Sequence, residues 1–129
     1  MRREDRGKDE PRWRIILETR WRDRLTEVTE LSLAYHGAAA ETPAGAENKR
    51  ARRLLRNAVA ARRRLADTED ALRRLETGGF GACEQCGAAI PDVLLAAAPE
   101  VRYCARCTAA AARPARTLVP APRVAAGPA

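Results

Sequence analysis

The chain predicts a mainly α-helical protein: an antiparallel two-helix coiled-coil hairpin, a small four-cysteine module behind it, and a short C-terminal helix. Three observations carry that prediction. Two long stretches, on either side of a Gly- and Pro-containing segment at 37–46, repeat apolar residues at steps of three and four, the spacing of one helix face. Four cysteines follow as two Cys-x-x-Cys pairs, Cys83/Cys86 and Cys104/Cys107, with seventeen residues between them. Aromatic residues make up only 4% of the 129, and alanine supplies much of the apolar fraction, so little area is available for a large core.

Residues 1–12 mix charges of both signs with Gly7 and Pro11 and read as a flexible leader, with Pro11 before or at the start of the first helix. The hairpin is expected over 13–77. Its first helix runs from Trp13 to about His36, with Leu17, Trp21, Leu25, Val28, Leu31 and Tyr35 on one stripe. Arg20, Arg22, Asp23, Glu27 and Glu30 fall mostly on other faces. Trp21 and Tyr35 are read as packing residues rather than ligand-stacking ones.

Gly37, Pro43 and Gly45 place the turn at about 37–46, with Thr42 and Pro43 as N-cap and first residue of the next helix. That helix is expected from about Ala44 to Glu76. Leu54, Ala58, Ala61, Leu65, Thr68, Leu72 and Leu75 alternate steps of four and three, a heptad-like seam. Thr77, Gly78 and Gly79 end it, since glycine can take the left-handed conformation that caps a helix. A hairpin of two helices buries one seam, so its stability is expected to draw on the cysteine module or a partner.

The module occupies 78–113. Gly87 stands where a chain reversing under a metal needs positive φ, and Ile90, Leu94, Leu95 and Val101 are placed to pack beneath the site. Thr108–Arg113 form a short helix whose N-terminus favours the Cys107 thiolate. From 114 to 129, Pro, Ala and scattered Arg leave too little to bury, and the tail reads as disordered.

A Cys-x-x-Cys step turns two sulfurs toward one centre, and two such steps close a tetrahedron around one metal. Zinc suits four thiolates because it is redox-inert and takes tetrahedral sulfur coordination. Cys83, Cys86, Cys104 and Cys107 are therefore read as the ligands of one structural Zn2+, able to contribute ~10–16 kcal/mol to folding the module. Two disulfides are a competing reading, but the charged N-terminus lacks the apolar run of an export signal, which favours reduced thiols and a cytoplasmic protein. Iron at the same four sulfurs stays open. Four cysteines leave no coordination position for a substrate or a reactive water.

The formal net charge is +7. The excess lies between Lys49 and Arg74, where Lys49, Arg50, Arg52, Arg53, Arg56, Arg62, Arg63, Arg64, Arg73 and Arg74 outnumber the acids. Such a helix either meets an acidic partner, protein or nucleic acid, or is simply a solvated face. No run of apolar residues is long enough to span a membrane. No nucleophile–base pair and no Gly-rich phosphate loop is legible, and His36 near the turn reads as a surface residue. The sequence therefore predicts a protein that is not an enzyme.

The run Gly79-Phe80-Gly81-Ala82-Cys83-Glu84-Gln85-Cys86-Gly87-Ala88-Ala89-Ile90-Pro91, then Leu95-Ala96-Ala97-Ala98-Pro99, then Cys104-Ala105-Arg106-Cys107, resembles the DksA/TraR family of bacterial transcription regulators. The likeness covers about thirty residues closely, and the hairpin upstream agrees in architecture. The resemblance implies that the four cysteines hold zinc. It further implies that the hairpin enters the secondary channel of RNA polymerase and modulates initiation, often together with the alarmone ppGpp. Two positions depart from the family pattern. The tip has no aspartate where known members have Asp-x-x-Asp-x-Ala; Glu41 and Glu47 are its nearest acids. Leu94 stands where an arginine is usual. Direct nucleic-acid binding through the arginine-rich helix is the alternative reading, and a dimerising coiled coil is a third.

Overall fold

The computed structural model of the protein describes residues 9–111. The expected leader up to residue 8, the end of the last helix at 112–113 and the tail at 114–129 lie outside the described residues. Four helices follow in order among the described residues: α1 Glu10–Ala40, α2 Lys49–Thr77, α3 Asp92–Ala97 and α4 Ala105–Ala111. Among the described residues there is no strand, only one antiparallel bridge between Ala82 and Ala89. At ~1.5 Å per residue α1 is about 46 Å long and α2 about 44 Å, and the two pack side by side as an antiparallel hairpin.

α1 starts three residues ahead of Trp13. Pro11 sits in its first turn, where a missing N–H costs nothing. Gly37 does not stop it, for Gly37 has ordinary backbone angles while Gly45, with φ of 81°, makes the reversal. The expected Thr42–Pro43 cap is corrected: Asn48 is the N-cap of α2, its side chain accepting from the Ala51 N–H at 3.0 Å. Thr42 instead donates to the Ala38 carbonyl at 2.9 Å and accepts from Asn48 Nδ2 at 2.5 Å. One asparagine thus begins α2 and ties it to the end of α1. At the other end Gly78 closes α2 with φ of 84°, as its sequence position predicts.

The α2 seam is the predicted one: Ala58, Ala61, Thr68 and Leu75 are buried, joined by Ala51 and Ala71. The α1 seam is broader than the predicted stripe: Leu17 is buried and Trp21, Val28, Leu31 and Tyr35 are half-buried as expected, but a second row shares the inner face. It runs Trp13, Leu17, Arg20, Arg24, Glu27, Leu31, Ala34, Ala38, an unbroken alternation of four and three. Arg20, Arg24 and Glu27 belong to this inner row and are half-buried. Leu25 lies one residue past it, so it is turned by about 100° and is exposed. Ion pairs make the polar row possible: Arg64 donates to Glu27 Oε1 at 2.8 Å and Arg20 to Glu100 Oε2 at 2.7 Å.

The core sits at the joint of hairpin and cysteine module. Trp13, Leu17, Ala71, Leu75, Phe80, Cys83, Ile90 and Leu95 form one buried cluster, with Val101 packed against it. The Trp13 and Phe80 rings lie 5.4 Å apart at 49°, a favourable tilted contact. Leu94, expected beneath the site, is exposed: α3 is short, and Leu95 is its one buried residue.

Candidate metal centre

The cysteine module is built by chain reversals. Cys83 N–H donates to the Ala88 carbonyl, and the Gly87 N–H returns to the Cys83 carbonyl, both at 2.8 Å. This small ring needs positive φ at Gly87, which has 76°. Ile90 N–H donates to the Gly81 carbonyl at 2.7 Å, and Glu84 N–H reaches the Arg102 carbonyl at 2.9 Å. The second bond fastens the first cysteine pair to the strand of chain leading into the second. α4 begins at Ala105 rather than Thr108, so its start lies at Cys104, and the Cys107 N–H points at Cys104 Sγ at 3.4 Å.

The four predicted site residues are thereby brought together. The Sγ atoms of Cys83, Cys86, Cys104 and Cys107 all lie within 4.8 Å of one another. All four are free thiols, and Cys86 and Cys104 Sγ are 3.8 Å apart. A tetrahedron with metal–sulfur bonds of about 2.3 Å has edges of about 3.8 Å. The donor set fits one zinc ion, and one shared centre suits four mutually close sulfurs better than two separate disulfides.

The electrostatics point the same way. Burial opposes the Cys83 thiolate, yet backbone hydrogen bonds from Cys104, Cys86 and Gln85 outweigh it and bring the thiol from 9.0 down to about 6. The backbone of Cys107 lowers Cys104 as well. Cys107 is raised to about 12, first by its contact with Cys104 and then by burial. Crowded thiols lose protons in sequence because each thiolate opposes the next. A divalent cation at the centre removes that opposition.

The site is locked to the hairpin by a polar joint that the sequence reading did not find. Glu100 Oε2 accepts from Arg20 of α1 at 2.7 Å and from Thr68 Oγ1 of α2 at 2.9 Å. Burial works against the Glu100 carboxylate, but these donors hold it below its usual 4.5. Arg74 donates to the Glu100 carbonyl at 3.3 Å and lies 3.6 Å from Glu84. Arg102 pairs with Asp70 and lies 3.6 Å from Asp67. A buried threonine in an otherwise apolar seam was the one signal available for this joint.

Residues 77–111 match the prokaryotic dksA/traR C4-type zinc finger. An uncharacterized protein of Aquifex aeolicus is 41% identical over 56 residues, 43% of this chain and 39% of that protein. The match therefore spans well under half the length of that curated relative. The structure of transcription factor DksA2 from Pseudomonas aeruginosa superposes with a TM-score of 0.69 at 15% identity, over 81% of this chain and 83% of that one. Among the described residues no helix is long and apolar enough to cross a membrane. Residues 77–111 thus match the dksA/traR C4-type zinc finger, at the base of a hairpin that shares the fold of DksA2 and whose far tip has no aspartate.

Proposed function

We propose that this protein is a zinc-finger transcription regulator that binds RNA polymerase by inserting its hairpin into the secondary channel, thereby modulating initiation. Cys83, Cys86, Cys104 and Cys107 hold one structural zinc ion, which takes no part in chemistry. The observation that carries the reading is the continuity of the zinc finger with a rigid arm. One core and one polar joint connect residues 77–111 to both long helices. An arm fixed at its base can reach into a narrow opening without losing order, and a basic shaft complements an acidic channel lining. A polymerase partner fits a cytoplasmic protein, and a zinc ion held by four cysteines has no open position for a reacting group.

The tip departs from the family pattern in its charge. Glu47 lies 2.5 Å from Arg52, so one of the two nearest acids is already paired. The tip offers no pair of aspartates to a metal-bound active centre, and its effect on polymerase is expected to differ accordingly.

The test is a pull-down of purified RNA polymerase with the full chain, repeated with residues 37–46 replaced, followed by in vitro transcription with and without ppGpp. Retention of polymerase and altered initiation support the proposal. Absence of binding at micromolar protein and low salt refutes it. Salt-sensitive binding to duplex DNA in its place would favour the nucleic-acid reading, which the arginines of α2 also suit.

A further inference from the structure

Two clefts on one flank of the distal hairpin share Tyr35 and Leu55. One, of about 340 Å³, lies at the turn; the other, of about 180 Å³, continues along α1 and α2 to Arg62. Together they form a groove whose floor includes Ala51 and Ala58, residues too short to fill the space between helices. Leu55 and Val59 remain 42% and 55% exposed beside it. Arg52 and Arg62 line it at the two ends.

Charge is one-sided here. From Lys49 to Ala66, α2 carries eight cations and no acid, and the facing segment 31–47 carries two acids, Glu41 and Glu47, of which Glu47 lines the turn cleft and is paired with Arg52. Arg56 and Arg63 stand with Val59 on the α2 face opposite the seam. Arg56, Arg62 and Arg63 make no ion pair among the described residues. An apolar groove between arginines matches the makeup of a protein interface, where exposed aliphatics and arginine coincide.

We infer that this groove docks an acidic amphipathic helix of a partner protein, apolar side chains against Tyr35, Leu55 and Val59, carboxylates toward Arg62 at the groove's edge and toward Arg56 and Arg63 beyond Val59. Such a helix supplies the third element that a two-helix arm lacks. A second copy of this chain would set arginine against arginine. A phosphate backbone would answer the arginines but would leave Leu55 and Val59 without an apolar counterpart. The inference rests on the reading that the hairpin binds a protein, and it names the recognising surface.

The experiment compares the full zinc-loaded chain with Leu55→Ser/Val59→Ser and with Arg62→Glu/Arg63→Glu, each checked for unchanged helicity. Binding to purified RNA polymerase and to a short duplex DNA is measured in parallel. Both variants are expected to lose about tenfold or more in polymerase affinity, while the serine pair leaves any DNA binding unchanged. Wild-type affinity in both folded variants would overturn the inference and leave the proposed function standing. No polymerase binding by the wild type would overturn the proposed function itself. DNA binding lost only in the arginine variant, without polymerase binding, would replace both with a nucleic-acid surface.

Discussion

Arg20 and Glu100 stand eighty positions apart, yet Arg20 Nε donates to Glu100 Oε2 at 2.7 Å. The same oxygen accepts from Thr68, so one carboxylate joins α1, α2 and the loop that leads to the second cysteine pair. It is a charge-assisted bond in partly buried surroundings, where geometry is fixed by three elements.

Replacing Glu100 by Gln removes that charge and leaves Arg20 with at most a neutral acceptor. Because Arg20 keeps some exposure, the cost is discounted for solvent to ~1–2 kcal/mol, read as a lower urea midpoint for the zinc-loaded protein. Thr68→Val should cost about 1 kcal/mol. The two changes combined should cost less than their sum, since they share one oxygen.

The joint also sets a pH dependence. Glu100 is held below its usual 4.5, so its stabilising effect is full above the carboxyl value of the unfolded chain. That effect is lost as pH falls through the lower folded value. The stability difference between wild type and Glu100→Gln is therefore constant near neutrality and shrinks as pH drops below about 4.5. Parallel urea titrations along that range measure it; a difference that grows on acidification contradicts the assignment.

Metal analysis should find about one zinc per chain, lost in Cys86→Ser. Because Cys83 shares the buried cluster with Trp13 and Phe80, chelation should disturb more than the finger. Tryptophan emission is expected to shift to the red as the cluster opens, and helical circular dichroism to fall, because the hairpin's main apolar support is that cluster.

Trp13→Ala should be the most damaging single change, at ~3–5 kcal/mol, because the ring is fully buried against Phe80. Asn48→Ala, in contrast, should cost ~0.5–2 kcal/mol. Its effect should appear as faster amide exchange confined to the turn and the first turn of α2.

The helices, the finger and the grouping of its four sulfurs were legible because each rests on local spacing. Cysteine steps of three, the glycine at 87 and the α2 heptads need no knowledge of distant chain. The α1 seam was not legible in the same way. Arg20, Arg24 and Glu27 occupy inner positions that apolar periodicity assigns elsewhere, and ion pairs make those positions tenable: Arg20 with Glu100, and Glu27 with both Arg64 and Arg24. The central place of Trp13 was not legible either: beside Leu17, its cluster is made by Ala71 and Leu75 of α2 and by Phe80 and the finger, all distant in sequence. The cap of α2 was misplaced because Thr42-Pro43 and Asn48 both carry the chemistry of a helix start, and the tertiary bond from Asn48 to Thr42 decides between them.

The placement of the joint near one end of the hairpin makes the molecule a lever. From Thr68 to the first residue of α2 is about 28 Å at ~1.5 Å per residue, so a tilt of about 5° there sweeps the tip through about 2.5 Å. That displacement is comparable to the length of a hydrogen bond. A rearrangement of the Arg20–Glu100–Thr68 contact, too small to alter the helices, would thus be enough to decide whether a group at the tip meets its target.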